Sequence, residues 1–171
     1  MQIAATLQRD GPFAGVIGFS QGGCAAGMVA SLLEPGRRAA FDAAERGGGG
    51  GGGMAYPAAF AELRHPPLRF AVSYSGFGAP HELYRAFYEP KIATPMVHFV
   101  GSLDTVVEEE RSLRLVRSCE GPERVVYHPG GHFLPTQKQY VSALAGFIQE
   151  TCGDVGKVGD EEKVGDTEVP L

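Results

Sequence analysis

The chain has 171 residues, 43% of them hydrophobic, which suits one domain with a sizeable core. A net charge of -5 and the lack of any basic run exclude a nucleic-acid surface. The three cysteines, at 24, 119 and 152, form neither a disulfide framework nor a Cys-x-x-Cys zinc pattern, and they place the chain in a reducing, cytoplasmic setting. No charged-then-apolar leader opens the sequence and no apolar run is long enough to span a bilayer, so no membrane is expected.

Residues 1–9 put Ile3 and Leu7 on one helical face, and Asp10-Gly11-Pro12 breaks that helix. Residues 13–19 are a short apolar run, fit for a strand buried on both faces. A helix over 21–33 follows, its small residues suited to close packing on a sheet, and Pro35-Gly36 ends it. Seven consecutive glycines at 47–53 mark a flexible surface excursion over about 42–55. Further strands are expected at 69–75, 96–101 and 124–128, with a short helix within 80–90 and helices at 109–119 and 136–150. In the last of these Tyr140, Leu144, Phe147 and Ile148 form one stripe. Strands alternating with helices predict an α/β fold with a parallel sheet covered on both faces. The domain is expected over 1–152. From Gly153 the composition turns acidic, aromatic-free and glycine-punctuated, so 153–171 is expected to be a disordered tail.

The turn after the first strand reads Gly18-x-Ser20-x-Gly22, the pattern of a nucleophile elbow, in which a strained Ser holds its hydroxyl above the sheet. Gly18 and Gly22 are both expected to be glycine because a Cβ would strike the turn or the neighbouring strand. The Gln21 amide, first in the following helix, is placed to point at a developing oxyanion. A serine nucleophile needs a base and an acid to orient that base. Asp104 follows the third strand and His132 the fourth, so Ser20, Asp104 and His132 all lie at strand C-termini, in the order Ser, Asp, His. Glu108, Glu109 and Glu110 are rival acids at a helix start, and His128, at a strand end before Pro129, is the rival base. Asp104 alone would read as a turn residue. Cys24 reads as a small buried residue, His98 as a packed histidine and Ser75 as structural or substrate-lining. No metal or cofactor is implied.

Asp10-Gly11-Pro12-Phe13 leading to Gly15-Val16-Ile17-Gly18-Phe19-Ser20-Gln21-Gly22 resembles a family of small serine hydrolases known from fungi, with a human member described as an ovarian tumour suppressor candidate. Tyr74-Ser75-Gly76-Phe77 resembles its next strand end. Gly101-x-x-Asp104-x-x-Val107 resembles its acid loop, and His128-Pro129-Gly130-Gly131-His132-Phe133-Leu134-Pro135 its histidine loop. The resemblance spans about 8–150. It implies an α/β-hydrolase that cleaves carboxylic esters, with Ser20 as nucleophile, Asp104 as orienting acid and His132 as base. Some fungal members release polyketide chains as thioesterases, which implies an acyl-carrier or synthase partner beside a small ester or thioester substrate. A dihydrofolate reductase label also travels with the family, but no Gly-x-Gly-x-x-Gly follows a strand here. The resemblance further implies first strands and a second oxyanion donor before the Asp-Gly-Pro stretch. Without them the nucleophile strand is expected at a sheet edge, and a truncated, non-catalytic remnant is the competing expectation.

Overall fold

Four apolar segments become four strands: β1 (Gly15–Phe19), β2 (Phe70–Tyr74), β3 (Met96–Gly101) and β4 (Val125–His128). The computed structural model describes residues 2–46 and 53–153. Glycines 47–52 of the expected excursion and residues 154–171 of the expected tail lie outside the described residues.

All neighbouring strands are parallel, in the order β1-β2-β3-β4. Parallel neighbours need crossovers, and helices supply them. After α1 (Gln2–Asp10) and β1, the chain runs through α2 (Gln21–Leu32), α3 (Arg37–Arg46) and the one-turn α4 (Ala58–Ala61) before β2. A 3-10 helix (Glu82–Phe87) lies between β2 and β3, α5 (Glu109–Arg117) between β3 and β4, and α6 (Lys138–Cys152) follows β4. The register pairs Phe19 with Tyr74, Tyr74 with Phe99, and Gly101 with His128. The strand C-termini therefore finish level, and the loops after β1, β3 and β4 emerge side by side.

The pleat divides the core into two layers. Phe70, Val72, Tyr74, Val97 and Phe99 pack against Tyr140 and Phe147 of α6. Ala71 and Met96 point the other way, into a cluster with Val29, Ala30, Phe41, Phe87, Ile92 and Leu115. Both faces of β2 and β3 are covered, which is why these strands read as continuous apolar runs rather than alternating ones. Gly23, Ala26, Gly27 and Ala30 let α2 lie close to the sheet.

Three expectations need correction. The strand expected over 13–19 begins at Gly15 and is not buried on both faces. It is the edge strand, as the family resemblance implied; its α6 side is only partly covered among the described residues, and Ile17 is 51% exposed. Residues 42–46 are not part of a flexible excursion but the last turns of α3. That helix is held by Phe41, fully buried edge-on to Tyr56 (5.3 Å) and Phe87 (4.8 Å). It is also held by the buried Arg37, which pairs with Glu34 at 2.5 Å and donates to the Lys91 carbonyl at 3.1 Å. Met54, at the far end of the expected excursion, and Tyr56, just past it, pack against the same core.

Among the described residues no helix is long and apolar enough to cross a membrane. His98 is packed within β3 as expected, at 3% exposure. Burial pushes its pKa from 6.5 down to about 4. Between those two pH values the unfolded chain takes up a proton that the folded chain refuses, so stability falls as pH falls. The expected loss from this one group is up to about 3 kcal/mol. In His98→Leu, denaturant titrations across the same window should show a correspondingly flatter pH dependence.

Candidate active site

The turn between β1 and α2 holds Ser20 at φ 55°, a left-handed conformation that a residue with a Cβ rarely adopts. It is held there from both sides. The Ser20 amide donates to the Tyr74 carbonyl at 2.8 Å, and the Ser20 carbonyl accepts from the amides of Gly23 (2.9 Å) and Cys24 (3.3 Å). A Cβ on Gly18 would lie 1.9 Å from the Gly22 carbonyl oxygen, so glycine is obligatory there, as expected. The expectation for Gly22 is overturned: a Cβ there would meet nothing within 4 Å. Gly23 is the second sterically required glycine, since a Cβ would fall 2.7 Å from Ser73 Oγ and 2.8 Å from Gly76 Cα. Gly18→Ala is expected to destabilise by roughly 3 kcal/mol or more through backbone overlap. Gly22→Ala should be neutral, or stabilise by up to about 1 kcal/mol, as glycine leaves a helix. Equilibrium unfolding of the two variants checks the contrast.

Asp104 leaves β3 in a tight turn. Its Oδ1 accepts from the amides of Val106 and Val107, both at 2.9 Å. Its Oδ2 is 2.8 Å from His132 Nδ1. The turn-residue role and the acid position are thus the same residue, with one oxygen for each. Burial pushes the Asp104 pKa up, but the bonds from Val107, His132 and Val106, with the Ser75 hydroxyl nearby, outweigh it and hold the carboxyl below its usual value. The amides of Val106 and Val107 were not foreseen in the sequence, although Asp's habit of bonding the backbone two residues on was the available signal.

His132 sits in the loop after β4. Its Nε2 lies 2.9 Å from Ser20 Oγ, and its ring packs on Phe19 with centroids 4.8 Å apart. The histidine loop is stitched to the acid loop, since the Leu103 amide donates to the Gly130 carbonyl at 3.0 Å. Ser20, His132 and Asp104, far apart in the chain, therefore form one hydrogen-bonded line. Because Asp104 can only accept when ionised, Nδ1 carries the imidazole proton, and the Nε2 lone pair faces the Ser20 hydroxyl.

The rivals lie elsewhere. His128 is buried between Phe133 and Tyr140, and its Nε2 has no partner among the described residues. Burial pushes its pKa down, with a smaller opposite pull from Asp104. Glu108 occupies the N-cap position of α5 without a side-chain capping bond, and Glu109 and Glu110 fill its first turn, where carboxylates favour the helix dipole. Cys24 is buried 3.9 Å from the Tyr88 hydroxyl, and burial pushes its thiol pKa up, away from nucleophilic character. Ser75 is buried at φ 46°, beside the Asp104 carboxylate. The Gln21 amide opens α2, where first-turn amides have no partner within the helix.

Residues 1–144 match the family model described as Serine hydrolase (FSH1). The chain is 36% identical over 142 residues to a protein named dihydrofolate reductase from Schizosaccharomyces pombe, covering 83% of this chain and 26% of that protein. It is 34% identical over 154 residues to Family of serine hydrolases 3 from Saccharomyces cerevisiae, covering 90% of this chain and 49% of that protein. It spans a quarter to a half of the length of these two relatives. Among solved structures, acyl-protein thioesterase 2 of Zea mays has the same fold, with a TM-score of 0.50 at 19% identity over 86% of this chain and 62% of that one. The sequence match covers the elbow, the acid loop and the histidine loop together, and the chain belongs to the FSH1 family of serine hydrolases.

Proposed function

We propose that the chain hydrolyses a carboxylic ester or thioester through an acyl-enzyme on Ser20. The observation that carries this reading is the unbroken line Asp104–His132–Ser20, with contacts of 2.8 and 2.9 Å. In the first half-reaction Ser20 Oγ adds to the acyl carbon as its proton passes to His132 Nε2. The imidazolium is stabilised by Asp104, whose lowered pKa keeps it ionised. The Gln21 amide donates to the oxyanion at the positive end of α2. Collapse expels the alcohol or thiol, which takes the proton from Nε2. Water then attacks the acyl-enzyme by the same path in reverse, giving the carboxylic acid and free Ser20. No step needs a metal or an organic cofactor.

Exposed Leu103 and Val106 on the acid loop, and Phe133 and Leu134 on the histidine loop, give the surroundings an apolar character suited to the acyl part of a substrate. An acyl group delivered as a thioester on a carrier protein belongs to the same reading, because the leaving group changes and the serine chemistry does not. The three free thiols, at Cys24, Cys119 and Cys152, support a reducing compartment, the cytoplasm in this reading. The test is release of nitrophenol from a nitrophenyl ester, and of thiol from an acyl thioester, by the purified chain. Turnover of either one that disappears with Ser20 supports the proposal. Turnover of neither by folded protein contradicts it.

A further inference from the structure

At the end of the sheet away from Ser20, three soft donors come together. Met96 and His98 are two residues apart on β3, so the pleat turns both toward the α5 side. Cys119, just past α5, is pinned by its neighbours: the Ile92 amide donates to the Ser118 carbonyl at 2.8 Å, and the Glu120 amide to the Ile92 carbonyl at 2.7 Å. Cys119 Sγ lies 3.6 Å from Met96 Sδ, 3.7 Å from His98 Nε2 and 3.3 Å from the Leu115 carbonyl oxygen. A single S–H proton cannot serve three acceptors. His98, only 3% exposed, has no other hydrogen-bond partner at Nε2 among the described residues. Met96, His98 and Cys119 all line one open cavity of about 250 Å³.

The geometry points to a Cu(I) site with three ligands: the Cys119 thiolate, the Met96 thioether and His98 Nε2. A metal bonded to sulfur at about 2.3 Å and to imidazole nitrogen at about 2.0 Å, at trigonal angles, separates those atoms by about 3.7 Å. Two sulfurs on one such ion sit about 3.8–4.0 Å apart, so Met96 need withdraw by only a few tenths of an ångström. Thiolate, thioether and imidazole are the soft ligand set that selects Cu(I) over harder divalent ions. Among the described residues no three His, Cys, Asp or Glu side chains form a metal-binding group, so a hard or four-ligand site is not offered here. The cavity lining also includes Glu120, Glu123 and Arg124. The Arg124 guanidinium is taken by Glu150 at 2.7 and 2.5 Å, so the charge at the mouth favours a cation.

Binding exchanges one proton for one metal ion: the Cys119 S–H bond breaks, a Cu–S bond forms, and the proton leaves to solvent with no change in oxidation state.

The test is anaerobic competition of the whole chain, under ascorbate, against the coloured Cu(I)–bicinchoninate complex. One equivalent should be withdrawn, both by the wild type and by Cys24→Ser/Cys152→Ser. Cys119→Ser should weaken binding roughly a hundredfold and Met96→Leu roughly tenfold, the latter with core volume preserved and far-ultraviolet circular dichroism unchanged. No withdrawal by folded wild type overturns the site, as does equal affinity in folded Cys119→Ser. Should that variant not fold, unchanged affinity in Met96→Leu overturns it.

Discussion

Ser20→Ala is expected to lower ester turnover by roughly 10⁶-fold, to near the background of the fold without its nucleophile. The size follows from the covalent step. In the proposed mechanism His132 moves a proton to and from Ser20 Oγ and Asp104 orients and stabilises the imidazole, so without that oxygen their alignment has nothing to act on. The fold should survive. The contacts that hold the turn are the Ser20 amide to the Tyr74 carbonyl and the Ser20 carbonyl to the Gly23 and Cys24 amides, all backbone groups that alanine retains. The measurement is initial rate on a nitrophenyl ester, with thermal unfolding as the control. A rate within tenfold of wild type would remove Ser20 from the chemistry.

Asp104→Asn is expected to cost roughly 10⁴-fold in turnover while the protein remains folded. The physical reason is the tautomer. The amides of Val106 and Val107 donate to Oδ1, so asparagine keeps its carbonyl oxygen there and turns its NH₂ toward His132 Nδ1. Nδ1 must then accept, the imidazole proton moves to Nε2, and the atom facing Ser20 at 2.9 Å becomes a donor instead of a base. A second consequence concerns stability. The Asp104 pKa is lowered in the folded state, so its contribution is present above the usual carboxylate pKa and is lost as pH falls through the lower folded value. That part of the acid sensitivity should be absent from Asp104→Asn. Kinetics and acid titration of the same variant read the two effects separately.

The sheet was legible in the sequence because β2 and β3 are buried on both faces, and a strand so buried must be apolar at every position. β1 carries the same apolar signal but lies at the edge, and the signal cannot tell the two placements apart. Ile17 is as hydrophobic as Val72 and yet half exposed, because α6 lies over β2 and β3. α3 was missed because its hold on the core is mainly one phenylalanine and one buried arginine, with Ala44 beside them, in a stretch of alanines and charges that offers no long apolar stripe to count. The candidate site was legible through topology more than through any single motif, since parallel register brings the loops after β1, β3 and β4 to one end. The choice of His132 over His128 rested on His128 belonging to the strand, which is where it lies. The glycine pattern misled in one detail. The motif draws attention to Gly22, whereas the helix approaches Ser73 and Gly76 at Gly23, a contact between segments far apart in the chain that no local pattern encodes.

The most direct test of the central claim is labelling of the 171-residue chain by a fluorophosphonate probe, with Ser20→Ala and heat-denatured protein alongside. Such a probe reacts only with a serine whose proton has somewhere to go and whose oxyanion is supported. The expected result is one label, on the peptide containing Ser20, absent from both controls. Folded protein that takes no label, or a label that persists in Ser20→Ala, would contradict the account and remove Ser20 from the role of nucleophile.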